Sequence, residues 1–217
     1  GTTMGNDIRY MPEKLDQASN FANKIWNAAK FITNSLEPDE KIVEFYNKVY
    51  NADKKEFNGE MLRLEDKWIL NKLNTLIKDI TKLIEDYDLG IALDKIYNFI
   101  WNEFCDWYIE ICKTRIYSEN SEERVQVDFV LDYVLRNALK LLHPFMPFVT
   151  SEIYSKLVHY DDIDIMMSNW PEYREIPQFE NEEETIEKLK DIIVDIRNTR
   201  ANMNVHPSKK TKLIFVT

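Results

Sequence analysis

The sequence predicts an all-α protein: an up-and-down helical bundle of four or five long helices with a small C-terminal helix-plus-strand appendage. Three observations predict it. Apolar residues recur at spacings of three and four along most of the 217 residues, the period of a helix with one buried face. Helix-start signals precede these stretches, namely Pro12, Glu37-Pro38, Asn120-Ser121-Glu122-Glu123 and Pro147. The 44% hydrophobic fraction can fill the core of one domain of this length.

The first helix runs from about Pro12 to Leu36, with Ala18, Ala22, Ile25, Ala29, Ile32 and Leu36 on one narrow face whose alanines imply close approach of another helix. Residues 37–62 hold a shorter helix ending in a polar stretch around Gly59. Leu64 to Tyr87 is a long amphipathic helix that turns Trp68, Ile69, Leu73, Leu76, Ile77, Ile80, Leu83 and Ile84 inward. A break at Asp88-Leu89-Gly90 precedes a helix to about Tyr117, apolar on more than one side and therefore expected at the bundle centre. The next helix reaches Leu142, and Pro147 restarts one through about His159. Residues 161–187 then carry ten acids and one base, Arg174, which reads as a solvated stretch with a short extended piece at Ile163–Met167. A last helix, about Glu182 to Met203, leads through Pro207 to a strand in Thr211–Thr217. The expected division is a bundle over 1–160, an acidic linker over 161–181, and over 182–217 a helix that begins a small α/β appendage. The opening Gly-Thr-Thr-Met-Gly-Asn-Asp reads as the start of a fragment cut from a longer protein.

Composition excludes several functions. The 4 glycines (Gly1, Gly5, Gly59, Gly90) form no loop that could cradle a phosphate, so Walker-type, kinase and dinucleotide-binding chemistry are excluded. Cys105 and Cys112 lie seven residues apart on one helix, about 10 Å, too far for a disulfide. Buried free thiols fit a cytoplasmic location. Three scattered histidines, His143, His159 and His206, offer no metal-ligand spacing, and none has a glutamate three residues before it as a di-iron bundle requires. No apolar run reaches 18 residues and no signal-like start is present. No motif supplies a catalytic centre, a metal or a cofactor.

Charge distribution says more than the net −10. Residues 17–36 contain no acid, and at 100° per residue Asn20, Lys24, Asn27, Phe31 and Asn34 fall in a stripe about 80° wide, opposite the alanine-rich face. Amides suit base edges, an ammonium suits phosphate, and an exposed ring can stack an unpaired base. Phe31 reads two ways, as a stacking ring or as a residue tucked under a neighbouring segment. After Asp195 no acid occurs, while Arg197, Arg200, Lys209, Lys210 and Lys212 give +5 over 196–217, the footprint of a phosphate partner or a merely solvated surface. Trp26 and Trp107 are expected in the core, and His143 as a helix-end cap or packed residue.

Several strings carry a family resemblance. Gly5-Asn6-Asp7-Ile8-Arg9 with Asn20-Phe21-Ala22-Asn23-Lys24-Ile25-Trp26-Asn27-Ala28, and Phe104-Cys105-Asp106-Trp107-Tyr108-Ile109-Glu110, closely resemble the class I valyl-tRNA synthetases just after their catalytic domain. Leu141-Leu142-His143-Pro144-Phe145-Met146-Pro147-Phe148 is similar to several class I synthetases. Ile196-Arg197-Asn198-Thr199-Arg200-Ala201-Asn202-Met203 and Pro207-Ser208-Lys209-Lys210 are again valyl-like. Ser19, Thr114 and His206 depart from the family's common residues.

The resemblance implies an anticodon-binding domain of class I synthetase type, within a valine–tRNA ligase that charges tRNA-Val using ATP. It implies a cytoplasmic protein that binds tRNA-Val, neither DNA nor membrane, and adjoins the catalytic domain of the same parent chain. ATP belongs to that catalytic domain, whose signature motifs lie outside this sequence, as does a C-terminal coiled-coil arm, so this chain is expected to bind without catalysing. Valine codons begin G-U, which makes the middle A and third C the informative anticodon bases. Carried onto matching positions, the resemblance assigns the anticodon to Asn20, Lys24, Asn27 and Phe31, and the tRNA backbone to Arg197, Arg200, Lys209 and Lys210. The competing expectation, favoured by the acidic total, is a helical protein-interaction scaffold without RNA binding.

Overall fold

The computed structural model describes residues 12–36, 39–51, 56–157, 164–174, 179–206, 208–212 and 214. Its helices are α1 (Pro12–Ser35), α2 (Asp39–Val49), α3 (Leu64–Glu85), α4 (Leu89–Asn98), α5 (Ile109–Ile116), α6 (Ser121–Leu142), α7 (Pro147–Tyr154) and α8 (Glu180–Asn202). A π-helical segment, Phe99–Tyr108, joins α4 to α5 in one continuous rod. The Gly5–Arg9 string, Glu37-Pro38, His159 and, in the expected strand, Leu213, Phe215 and Val216 lie outside the described residues.

The centre of the bundle is α6 rather than the α4–α5 rod. It packs against α1, α2, α3, α4, α5 and α7. Twelve of its 22 residues are buried, because apolar positions such as Phe129-Val130-Leu131, Val134-Leu135 and Leu141-Leu142 fall side by side and close most of its circumference. On α1 the buried line is Phe21, Ile25, Ala29 and Ile32. Ala18, expected on that face, is exposed. Phe21 takes the role instead, its ring 4.8 Å from Tyr97 and 6.5 Å from Trp101. That burial fixes the rotation of α1 and hence which way its polar stripe points.

Local chemistry moves several boundaries. The helix expected over 37–62 stops at Val49. It gives way to a two-residue antiparallel pair, Tyr50–Asn51 with Glu56–Phe57, and a 3-10 turn at Gly59–Met61 whose Glu60 N–H is capped by Asn58. The turn between α3 and α4 is made by Tyr87, at φ 62°, while Gly90 sits inside α4. Asp88 N–H donates to Leu83 O (2.8 Å) and Tyr87 N–H to Ile84 O (3.1 Å), a Schellman closure. Asn204, at φ 52°, closes α8 in the same way. Of the extended piece expected at Ile163–Met167, Ile163 lies outside the described residues and Ile165–Met167 is a 3-10 turn capped by Asp164. His143 is the C-cap of α6, as expected, with Nδ1 2.7 Å from Thr150 Oγ1.

A buried ionic cluster ties the rod to α3. Asp66 Oδ1 accepts from Arg115 Nη1 at 2.8 Å and from the Tyr108 hydroxyl at 2.7 Å, and Glu65 accepts from the same Arg115 nitrogen at 2.9 Å. Asp66 Oδ2 also caps the first turn of α3 by accepting from Arg63 N–H at 3.1 Å. Burial, reinforced by the Asp66 carboxylate, pushes the Tyr108 hydroxyl well above its ordinary range and keeps it a donor.

The acid-rich stretch is only partly solvated where it is described. Trp170 donates its indole N–H to Thr81, and Asn74 holds the backbone of Arg174. In α8, Glu182 pairs with Lys67, Glu183 with Lys72, and Glu187 with Lys72 and Lys190. Ile186 is buried against α3. The first half of α8 is therefore part of the bundle, and Glu182, Glu183 and Glu187 face lysines while Glu180 and Glu184 stay exposed.

Candidate nucleic-acid interface

Burial of Phe21, Ile25, Ala29 and Ile32 sets the flanking polar stripe of α1 beside the α4–α5 rod, and an open groove of about 590 Å³ runs between them. Asn20, Lys24, Asn27 and Phe31 all line it, so the four residues assigned to the anticodon share one surface. Asn34 does not join them. It faces a separate cleft of about 270 Å³ against α7, with Ile153 and Lys156.

The far wall comes from the rod, through Trp101, Cys105, Asp106, Ile109, Glu110 and Lys113. Lys24 Nζ lies 2.6 Å from Asp106 Oδ1 and 3.7 Å from the centroid of the Trp101 ring. That ring is held by stacking on Tyr97 at 5.5 Å and 17°. Half-buried Phe31 has the Lys113 ammonium 6.0 Å from its ring, and Lys113 is itself paired with Glu110 at 2.6 Å. The groove thus holds two aromatic rings, two lysines, two carboxylates and three amides. Cys105 contributes bulk rather than reactivity. Burial, with Asp106 adding to it and Lys24 opposing, pushes its thiol up to about 12.

The four C-terminal basic residues do not act alike. The Arg197 guanidinium sits 5.3 Å from the Trp107 ring, where Lys190 lies at 5.7 Å on the same half-buried indole. Arg200 donates to Thr211 Oγ1 (2.7 Å), His206 O (3.0 Å) and Lys209 O (2.8 Å), so it holds together the turn after α8. Lys209 and Lys210 are exposed. Trp107 follows Asp106 in sequence but points roughly a quarter-turn away, so Arg197 stands on another side of the rod from the groove. Trp26, expected in the core, is 36% exposed on the rim of the second cleft, with Lys156 Nζ 4.7 Å from its ring. Among the described residues no three His, Cys, Asp or Glu side chains gather as a metal site, and no helix is long and apolar enough to cross a membrane.

A family model described as the anticodon-binding domain of tRNA ligase matches residues 66–215. The chain belongs to that family. As an anticodon-binding domain it is 44% identical, over its whole length, to the valine–tRNA ligase of Clostridium acetobutylicum, of which it covers 23%. It is 43% identical to that of Clostridium perfringens, over 99% of the chain and 23% of that protein. It is 39% identical to that of Staphylococcus aureus strain JH9, again over 99% of the chain and 23% of that protein. The chain spans about a quarter of the length of these curated relatives. The family match begins inside α3, so α1 and its stripe are covered by the relatives and not by the family model.

Sequence reasoning overlooked half of the domain's groove. Trp101, Asp106 and Lys113 received no role, although Asp106 stands in one of the strings that carried the resemblance. Recurrence at four, through Trp101, Cys105, Ile109 and Lys113, was the available signal.

Proposed function

We propose that this domain reads the anticodon of tRNA-Val in the groove between α1 and the α4–α5 rod, as the anticodon-binding part of a cytoplasmic valine–tRNA ligase that charges tRNA-Val with valine using ATP. The observation that carries the reading is the convergence of Asn20, Lys24, Asn27 and Phe31 on one groove that also contains the Trp101 ring. Unpaired anticodon bases can splay out and stack, and Phe31 and Trp101 offer ring faces for this. The Asn20 and Asn27 amides, each both donor and acceptor, suit base edges. Lys24 reaches a phosphate by leaving Asp106. With Asp106 half-exposed, that pair is worth about 0.2–1 kcal/mol and the Trp101 contact about 0.5–1 kcal/mol; the departure of Lys24 also opens the Trp101 face to a base, whose stacking is worth about 1–3 kcal/mol. Arg197, Lys209 and Lys210 meet backbone phosphates, and Arg200 contributes by holding the turn that carries Lys209. Bond making to valine and ATP falls, in this reading, to the remainder of the ligase.

Phe31→Ala tests the reading. The variant should bind a labelled tRNA-Val anticodon stem-loop about 5- to 150-fold more weakly by fluorescence anisotropy, the equivalent of about 1–3 kcal/mol. An unchanged Kd in a folded variant rejects the stacking role.

A further inference from the structure

A third cavity, of about 320 Å³, opens between α2, α6, α7 and the strap at 169–174. Its lining carries Arg136, Lys140 and Arg174 against one carboxylate, Glu172, in a chain of net charge −10. Buried Asp132 pairs with the Arg136 guanidinium through Nε at 3.3 Å and Nη2 at 3.4 Å, which leaves Lys140 and Arg174 as the cations without a carboxylate. Among the described residues neither Lys140 nor Arg174 has a carboxylate at ion-pair distance; Arg174 bonds to the Tyr46 hydroxyl, and the other neighbours are rings. The Arg174 guanidinium lies 3.9 Å from the Tyr50 ring centroid, and Lys140 Nζ lies 5.9 Å from that of Tyr154. Half-buried cations without counter-charges favour an anion, and guanidinium groups match the oxygens of a phosphate.

The strap is held in place before any ligand arrives. Asn74 Nδ2 donates to Arg174 O at 2.8 Å, Arg174 N–H donates to Asn74 Oδ1 at 3.0 Å, and Trp170 donates to Thr81 Oγ1 at 3.0 Å. Arg174 is thereby set over a cavity whose other walls present Tyr46, Tyr133 and Trp170. A planar ring suits that aromatic wall, and the volume is near the lower limit of small-molecule sites, enough for one nucleotide unit.

We propose that this cavity is a nucleotide site, with the phosphate taken by Arg136, Lys140 and Arg174 and the base laid against the Tyr133 and Trp170 side. It shares no residue with the groove on α1 and stands whether or not that groove reads RNA. The nucleotide comes either from an RNA strand or from a free mononucleotide.

The test is calorimetric titration of the full chain with AMP, adenosine and inorganic phosphate. AMP should bind at least tenfold more tightly than adenosine and than phosphate. Lys140→Gln and Arg174→Gln should each weaken AMP at least tenfold, Lys140→Arg should restore it, and Lys24→Gln should leave it unchanged. Lys140 has only a distant ring contact, so its variants carry the test if Arg174→Gln disturbs the fold. A hepta-adenylate that displaces AMP at lower concentration assigns the site to an RNA strand. Failure to displace assigns it to free nucleotides. Equal affinity for AMP and adenosine, equal affinity for AMP and phosphate, or full AMP binding by folded Lys140→Gln overturns the proposal.

Discussion

Replacing Arg115 by methionine removes the buried tie between α3 and the rod that carries Trp101 and Asp106. Asp66, fully buried, would keep only the Tyr108 hydroxyl at 2.7 Å and the Arg63 N–H at 3.1 Å. Stripping one partner from a buried pair costs about 3–5 kcal/mol, because the remaining charge is left without compensation. Arg115 Nε and Nη2 have no hydrogen-bond partner among the described residues, and deleting two unsatisfied donors offsets part of that loss. The expected cost is therefore near the lower end, about 3 kcal/mol. At about 2–4 °C per kcal/mol for a chain of this size, Tm should fall by about 6–12 °C. Urea unfolding followed by far-ultraviolet circular dichroism measures this, with the pair Asp66→Leu plus Arg115→Met as the second arm. The double variant removes both charges but also the acceptor of the buried Tyr108 hydroxyl, and its loss should be smaller than the sum of the two single losses by at least about 1 kcal/mol. A single variant that loses less than about 1 kcal/mol, or a double variant whose loss is the sum of the two singles, refutes the reasoning.

Tyr87→Gly should stabilise the protein by about 0.5–1 kcal/mol. The left-handed conformation at φ 62° costs a non-glycine residue about 1–2 kcal/mol, and the exposed ring has little packing to lose. A lowered urea midpoint would contradict that account of the turn. The docking of α8 should weaken in acid. Burial opposes ionisation of Glu187, but hydrogen bonds from Lys190, Lys72 and Trp68 outweigh it and hold the carboxyl below its ordinary 4.5. A lowered folded value gives stability that is present above pH 4.5 and lost as pH falls through the folded value, so the urea midpoint should drop between pH 5 and 3, and drop less in Glu187→Gln. Burial opposes the charge on Lys72, but Glu183 and Glu187 outweigh it and raise the group above 10.5, so its contribution to stability is lost only as pH rises past that value.

One wall of the groove was legible in the sequence and the other was not. The stripe of Asn20, Lys24, Asn27 and Phe31 could be drawn because α1 has a single buried face, so a helical wheel separates its two sides. Even there the buried line includes Phe21 and not Ala18, a slightly different rotation, and Asn34 lines another cleft. The α4–α5 rod buries Phe99, Ile100, Phe104, Tyr108, Ile109 and Cys112, apolar on several sides, so periodicity could not distinguish a groove wall from core. Only the docking of α1, which sets Lys24 against Asp106 and Trp101, makes that wall visible. The acid-rich stretch misled for a related reason. Glu182, Glu183 and Glu187 are a solvated charge run in isolation, and their partners Lys67, Lys72 and Lys190 become apparent only once α8 lies along α3. The Schellman closure at Tyr87 lacked the glycine that usually announces one.

The most direct measurement is the affinity of this domain for tRNA-Val compared with the same tRNA carrying a changed middle anticodon base, by fluorescence anisotropy at one fixed salt concentration. Backbone contacts are common to both RNAs, so any difference reports base reading. Reading in the groove predicts binding at least tenfold weaker for the altered tRNA, with the difference reduced in Asn20→Ala or Asn27→Ala and with Phe31→Ala weakening both RNAs. Equal affinity for the two RNAs contradicts it.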